Sequence, residues 1–304
     1  MGWETIREEI IALKEKRNAV ILAHNYQPQE VQEIADHLGD SFELAHLAAS
    51  TDAETVVLCG VRFMAENAAI LAPNKTVLLP EKYAGCPLAE TITADELREK
   101  KRQHPEAAVV CYINTTAEVK AESDICCTSS NAVQIVNSLP EEKVIFVPDR
   151  NVARYVAART DKKIIPWDGQ CITHQRVTAE EIKKVREVHP DAMIAVHVEC
   201  PPQVVEQADY VGGTSGIAKF ARESKTSKII IGAEMGLIYR LKRENPGKQF
   251  FLLSPGLICP NMKATNLEKI RQALVNMEPR ITVPEKIRKQ AFKALEKMLT
   301  IIPN

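Results

Sequence analysis

No stretch of this sequence reaches the roughly 18 consecutive apolar residues that a membrane-spanning helix needs. A signal-peptide core is missing too, because the opening MGWETIREEIIALKEKR carries charge throughout. Gly2 follows the first methionine, but Ile6 stands where a myristoylation signal has Ser or Thr. These absences lead us to expect a cytoplasmic chain. Neither sign of charge is in excess: 39 Lys and Arg face 40 Asp and Glu, a net charge of −1. That excludes a general basic surface for nucleic acid or anionic lipid. The eight cysteines include no CxxC pair, so the common zinc spacings are absent as well. In a cytoplasmic protein such cysteines read as thiols or metal ligands rather than disulfides.

What is present is the composition of a globular protein, 304 residues with 45% hydrophobic and 26% charged. A chain of this length buries roughly three quarters of its unfolded surface and suffices for two or three domains.

An internal repeat organises it. AHNYQPQEVQEIADHLGDS from Ala23, CYINTTAEVKAESDICCTS from Cys111 and VHVECPPQVVEQADYVGGT from Val196 align without gaps. His24, Tyr112 and His197 fall at one place, and Tyr26, Asn114 and Glu199 two residues later. Val31, Val119 and Val204 match, then Asp36, Asp124 and Asp209, and Ser41, Ser129 and Thr214 close the block. Thr5, Thr93 and Thr178 lie at equal distances upstream, and each opens a T-x-x-E capping box that predicts a helix start. Downstream, Cys86, Cys171 and Cys259 follow the valines by 55, 52 and 55 residues. A fourth box, Thr265 to Glu268, opens a unit that is never completed.

Within each unit a capped amphipathic helix precedes a short apolar run: AVILA, AAVVC or AMIAV. A helix then starts near Pro28, Ala117 or Pro202. Further runs read ETVVLC and TVLLP, KVIFV and KKIIP, KIIIG and QFFLL. Continuous apolar runs alternating with helices predict buried parallel strands. The expected fold is therefore α/β: three pseudo-threefold-related αβα sandwich domains with small parallel sheets around a central site. The units are taken as 1–90, 91–175 and 176–262, followed by C-terminal helices over 263–304. In residues 284–300, Ile287, Phe292, Leu295, Met298 and Leu299 share a helical face that needs a partner. The C-terminal helices are expected to pack back on unit one beside residues 5–16 and close the ring.

Ligands in open parallel sheets bind beyond the carboxyl ends of the strands. His24, Tyr112 and His197 stand there, as do the three repeat cysteines. Approximate threefold rotation would bring equivalent points together. Three thiolates with no obvious fourth ligand then suit a [4Fe–4S] cluster with one open iron, with a three-cysteine zinc site as the competing metal reading. Cys59, Cys111, Cys126, Cys127 and Cys200 lack equivalents across the units and read as core. Ser41, Ser129 and Thr214 follow a helix, in the small-residue turns GDS, CTSSN and GGTSG, which offer hydroxyls and N–H groups to phosphate or carboxylate. His174 joins the strand-end histidines, and Glu199 is the carboxylate best placed for acid–base work.

Together, HNYQPQEVQEIADHLGDS, CYINTTAEVKAESDICCTSSNA, WDGQCITH, VHVECP and LICPNMK resemble the quinolinate synthase family, the A proteins of NAD biosynthesis, over nearly the whole chain. The resemblance implies three pseudo-threefold αβα domains and a [4Fe–4S] cluster on Cys86, Cys171 and Cys259. It also implies condensation of iminoaspartate with dihydroxyacetone phosphate to quinolinate, with loss of phosphate and two waters. It marks His24 and Tyr26 as catalytic and places His174 and Glu199 near the open iron. Ser41, Tyr112, Asn114, Ser129, His197 and Thr214 would contact substrate. In that chemistry the open iron would polarise a leaving hydroxyl, Glu199 or His197 would remove a proton, and Tyr26 could pass protons during the triose rearrangement.

Gly213 departs from the family pattern, where serine commonly precedes the threonine, and this leaves one substrate hydroxyl contact open. No cysteine follows Cys259, so redox control through a C-terminal cysteine pair cannot apply. Two alternatives stand beside this reading. One is another three-domain iron–sulfur enzyme of the diphthamide-synthesis type, against which HNYQ and VHVECP speak. The other is a non-enzymatic iron–sulfur sensor or carrier, which would need no convergent His, Tyr, Ser and Glu. The pathway, rather than any residue, implies an aspartate oxidase or dehydrogenase as functional partner.

Overall fold

The structure, a computed structural model, describes residues 3–301. The outermost ends of the first and last segments, and with them the Met1–Gly2 reading, lie outside the described residues. In the first unit α1 (Trp3–Lys16) leads into β1 (Ala19–His24), α2 (Gln29–Ile34), β2 (His37–Gly39), α3 (Ser41–Ser50), β3 (Thr55–Cys59), α4 (Arg62–Leu71) and β4 (Thr76–Leu78). The second repeats the order with α5 (Ala94–Gln103), β5 (Ala108–Tyr112), α6 (Ala117–Ala121), β6 (Ile125–Cys127), α7 (Ala132–Ser138), β7 (Lys143–Val147), α8 (Arg150–Ala157) and β8 (Lys163–Pro166). The third does so with α9 (Ala179–Val188), β9 (Met193–His197), α10 (Pro202–Val205), β10 (Tyr210–Gly212), α11 (Thr214–Glu223), β11 (Lys228–Gly232), α12 (Leu237–Glu244) and β12 (Gln249–Leu252). Two helices follow, α13 (Leu267–Asn276) and α14 (Glu285–Thr300).

Each unit forms one four-stranded parallel sheet, and the three strand orders are the same: β2-β1-β3-β4, β6-β5-β7-β8 and β10-β9-β11-β12. The α/β class and the three small parallel sheets thus agree with the sequence. Strands β3 and β5 are buried at every position, as sheets covered on both faces require.

The repeated aspartates explain a set of short edge strands that periodicity did not reveal. Asp36 accepts the Ile21 N–H at 2.8 Å and returns its own N–H to Ile21 O. Asp124 makes the same exchange with Val109, and Asp209 with Ile194. One carboxylate therefore starts each ladder of β2, β6 and β10 on its central strand. These strands separate α2, α6 and α10 from the hydroxyl residues, so Ser41, Ser129 and Thr214 do not directly follow a helix. Ser41 and Thr214 instead open α3 and α11, and Ser129 lies just ahead of α7.

Two of the four capping boxes hold. Thr93 and Thr178 each accept the amide three residues on, while Glu96 and Glu181 return to the cap N–H. Thr5 lies inside α1, which already begins at Trp3. At the fourth place Asn266, not Thr265, caps α13, with its side chain accepting the Lys269 N–H at 2.9 Å. Asparagine caps one residue later, through the Lys269 amide rather than that of Glu268, and so sets the helix start.

The C-terminal helices divide their packing. Helix α13 lies beside α1 and β3 of the first unit, burying Leu267, Ile270, Ala273 and Leu274. Helix α14 lies against α6 and β6 of the second unit as well as α4 of the first. Its buried residues are Ala291, Ala294, Leu295 and Met298, with Ile287, Phe292 and Leu299 at the margin. The tail is therefore not confined to unit one, because the apolar stripe of α14 fits the seam between two units. The main apolar core runs without a break through all three units and α14. Polar ties cross each seam in turn: Ala117 N–H to Glu66 Oε2 at 3.1 Å, Asn151 Nδ2 to Glu199 O at 2.9 Å, and Gln32 Nε2 to Gly236 O at 2.9 Å.

Candidate functional site

The central strands β1, β5 and β9 end at His24, Tyr112 and His197. These ends face one cavity of about 780 Å³, measured with its mouth, within the usual range for small-molecule sites. Every residue that the sequence singled out for catalysis, substrate or metal lines it.

Cys86, Cys171 and Cys259 are the three of eight cysteines that are not fully buried; the other five are closed into the core. Their turns are alike although GCP, QCI and ICP share little. Each cysteine carbonyl accepts the amide four residues on, from Glu90, Gln175 and Lys263, at 3.2, 2.9 and 3.2 Å. Each sulfur faces backbone N–H groups two and three residues on, those of Leu88 and Ala89, Thr173 and His174, Asn261 and Met262, which favour its thiolate. Every cysteine thus caps one helical turn whose amides favour a thiolate. The turns also hold one another. Trp167 Nε1 donates to Thr91 O at 3.0 Å, Asn261 Nδ2 donates to Gly85 O at 2.7 Å, and the Thr173 hydroxyl meets the Cys259 sulfur.

Burial pushes the Cys86 thiol up to about 12, and Glu199 and Cys259 add to the rise against its turn amides. Burial raises Cys171 and Cys259 likewise. Thiols crowded in this way give up their protons readily only to a cation. The tightest group of ligand atoms among the described residues is Cys171, His174 and Glu199, within 4.8 Å of one another. The three sulfurs form no such group. Tetrahedral zinc needs sulfurs about 3.8 Å apart, whereas a cluster takes each thiolate on a different iron.

Glu199 is buried between two donors. Tyr112 OH donates to its Oε1 at 2.6 Å, and His174 Nδ1 lies 2.8 Å from Oε2. Burial would raise its carboxyl, but His197 and the bonds from His174 and Tyr112 outweigh that and hold it well below the usual range. His24 and His197 share a device. Their Nδ1 atoms accept the N–H two residues on, from Tyr26 at 3.1 Å and Glu199 at 3.3 Å, which leaves the ring proton on Nε2. Burial lowers both rings to about 3, so both are neutral. His174 stacks on His197 with ring centroids 4.5 Å apart. Burial raises Tyr26 and Tyr112 far above their ordinary values, then Glu199 adds to it, so both stay protonated donors. The Tyr26 hydroxyl and His174 Nε2 are buried without a protein partner, as groups that serve a bound molecule are.

The hydroxyls of Ser41, Ser129 and Thr214 reach the cavity beside the amino ends of α3, α7 and α11. Gly213 has a local reason: a Cβ there would meet the Ser129 Oγ at 2.2 Å. Glycine at 213 leaves that hydroxyl its position.

Sequence reading missed Asp149 and Glu234. Both are buried, and both lie 37 residues beyond the strand-end position, after Tyr112 and His197 respectively. Glu234 accepts the Cys259 N–H at 3.2 Å. Asp149 caps α8 through Asn151 and Val152 and faces the Cys171 amide. Burial and then the charge of Glu199 push Asp149 up to about 8. Val61 occupies the matching place in unit one, which hid the pattern.

A model of the quinolinate synthetase A protein family matches residues 8–300. The chain is 55% identical over 296 residues to a quinolinate synthase of Methanoregula boonei, covering 97% of this chain and 98% of that one. It is 56% identical over 302 residues to one of Alkaliphilus metalliredigens, with 99% and 100% covered. Against one of Geobacter metallireducens the figures are 53% over 301 residues, with 99% of each chain.

Proposed function

This chain belongs to the quinolinate synthetase A protein family, and from that premise we propose that it condenses iminoaspartate with dihydroxyacetone phosphate to quinolinate, releasing phosphate and two waters. Three part-exposed cysteines, one from each unit and each on the same kind of turn, carry the reading. Cys86, Cys171 and Cys259 would hold a [4Fe–4S] cluster, which when bound supplies a Lewis-acidic iron at a substrate oxygen.

The chain's own residues do the rest. Glu199, ionised between Tyr112 and His174, takes a proton from the carbon beside a departing hydroxyl. The unpartnered Tyr26 hydroxyl donates and recovers a proton during rearrangement of the triose. Neutral His24 and His197 offer Nε2–H groups to carboxylate oxygens without adding charge. Ser41, Ser129 and Thr214 give hydroxyls, and Asn114 an amide, to phosphate and carboxylate from three sides. Buried apolar residues Val61, Phe63 and Leu88 close the cavity against water.

A cytoplasmic location and functional coupling to an aspartate oxidase or dehydrogenase are parts of the same proposal. Among the described residues, no helix is long and apolar enough to cross a membrane. No observation favours the diphthamide-type enzyme or the sensor, and a cavity lined by Glu199, His174 and Tyr26 has no purpose in a carrier.

The test is an anaerobic assay for quinolinate from oxaloacetate, ammonia and dihydroxyacetone phosphate, with iron counted on the same samples. Cys86→Ala, Cys171→Ala or Cys259→Ala should lose iron and product together, while Cys59→Ala keeps about four irons per chain. Glu199→Gln should keep its iron and lose roughly 10²–10⁴ in turnover. Full activity with stoichiometric zinc and no iron would overturn the reading.

A further inference from the structure

Glu234 is wholly buried at the seam between units three and one. It follows β11 by two residues and uses its carboxylate on several partners. Gly236 N–H donates to it at 2.8 Å, Cys259 N–H at 3.2 Å, and Lys263 Nζ lies 2.9 Å away. The Lys263 ammonium also donates to the Tyr26 carbonyl. Around this point the two chains of residues close up. A Cβ on Gly236 would lie 2.7 Å from the Tyr26 carbonyl atoms, so the backbones touch there. Gln32 Nε2 donates to Gly236 O at 2.9 Å, and Gln27 Nε2 to Met262 O at 2.8 Å.

A buried carboxylate with no solvent must be matched by donors, and one of those donors, Lys263, joins two different functional loops. One is the turn that presents the Cys259 thiol. The other, residues 24–32, presents His24 and Tyr26. The equivalent residue of unit two, Asp149, faces the Cys171 amide and accepts from Asn151 and Val152, but has no lysine bridge to another unit among the described residues. Unit one has Val61, and so no carboxylate, at that place. Among the described residues, a carboxylate–lysine link between a cysteine turn and a reactive loop is thus found at the seam that carries Tyr26.

We propose that Glu234 is a positioning residue that locks the Cys259 turn and the Tyr26 loop into one frame, with Lys263 as the arm that reaches the Tyr26 loop. The proposal rests on the reading of Cys259 as a metal ligand and Tyr26 as a reactive group, yet the frame itself is a property of the chain. Without it, the thiol and the hydroxyl would move independently, and a displacement of an ångström between them is costly to catalysis.

Backbone hydrogen exchange on the full-length chain, with and without iron, tests the frame directly. Glu234→Ala should speed exchange roughly tenfold in both 24–32 and 257–263, with strands β5 and β7 unchanged. Lys263→Met should speed exchange in 24–32 only, because the Cys259 amide keeps its acceptor. The iron-loaded Glu234→Ala protein should also lose iron to a chelator about tenfold faster than the parent. Should Glu234→Ala not fold, Glu234→Gln keeps the volume and an acceptor but not the charge, and should behave like Lys263→Met. Unchanged exchange in either segment of the Glu234→Ala protein overturns the proposal. If both segments respond but no form of the protein binds iron, the frame stands and the metal reading falls.

Discussion

At the scale of single residues, the site keeps the His24 and His197 imidazoles neutral by burying them, and that has a measurable cost in acid. His24 titrates at about 3 in the folded chain because burial disfavours its charge, helped by His197 and Lys263. Its unfolded value is near 6.5. Between those values the unfolded chain holds a proton that the folded chain refuses, so this contribution to stability is complete above pH 6.5 and lost as the pH falls. His24→Asn offers an oxygen where Nδ1 accepted the Tyr26 N–H and has nothing to protonate. Urea titrations of the iron-free proteins should show the parent losing about 1.4 kcal/mol per pH unit more than the variant below pH 6.5. Other titrating groups are shared and largely cancel. Parallel pH profiles would mean that His24 is accessible to protons in the folded chain.

At the scale of elements, much could be read directly and the exceptions have physical causes. Apolar runs marked the other nine strands among the described residues, and the central β3 and β5 are buried at every position because a doubly covered parallel strand leaves no polar positions. The three-residue edge strands β2, β6 and β10 are too short for any period to show. Their signal was the aspartate at equal spacing, whose meaning needs the ladder it starts. The thirteen candidate residues that line the cavity came from register and from resemblance to a family, whereas Asp149 and Glu234 escaped because Val61 breaks their register. Capping boxes were legible only where nothing competed. Thr178 accepts the Glu181 N–H, so Thr178→Ala should cost about 1 kcal/mol. Thr5 sits within α1 and caps nothing there, so Thr5→Ala should cost less than about 0.5 kcal/mol. Denaturant midpoints of the two variants decide it, and equal losses would mean that the first helix begins at Thr5 in solution.

At the scale of the molecule, three repeats have become one cooperative body. A unit of about 85 residues with a four-stranded sheet could in principle fold alone. Here the largest core does not stop at the seams: Leu58, Val110, Ile231 and Leu295 belong to one connected apolar cluster. Helix α14 lies across the seam between the first two units, where Leu295 and Met298 are wholly buried. Asn131 Nδ2 adds a bond to Ile301 O at 3.0 Å, fixing the end of that helix to unit two. Truncating Leu295 removes packing from two units at once. Leu295→Ala should therefore lower stability by about 2–5 kcal/mol, the range for a buried leucine. Its form is as informative as its size. A shared core predicts one urea transition for parent and variant, with a lower midpoint and the same slope. Independent units predict two transitions, with the one belonging to unit three left where it was. That second outcome would make α14 a clasp on two units only, and the cavity where all three meet would then have to be held together by the polar ties of the cysteine turns.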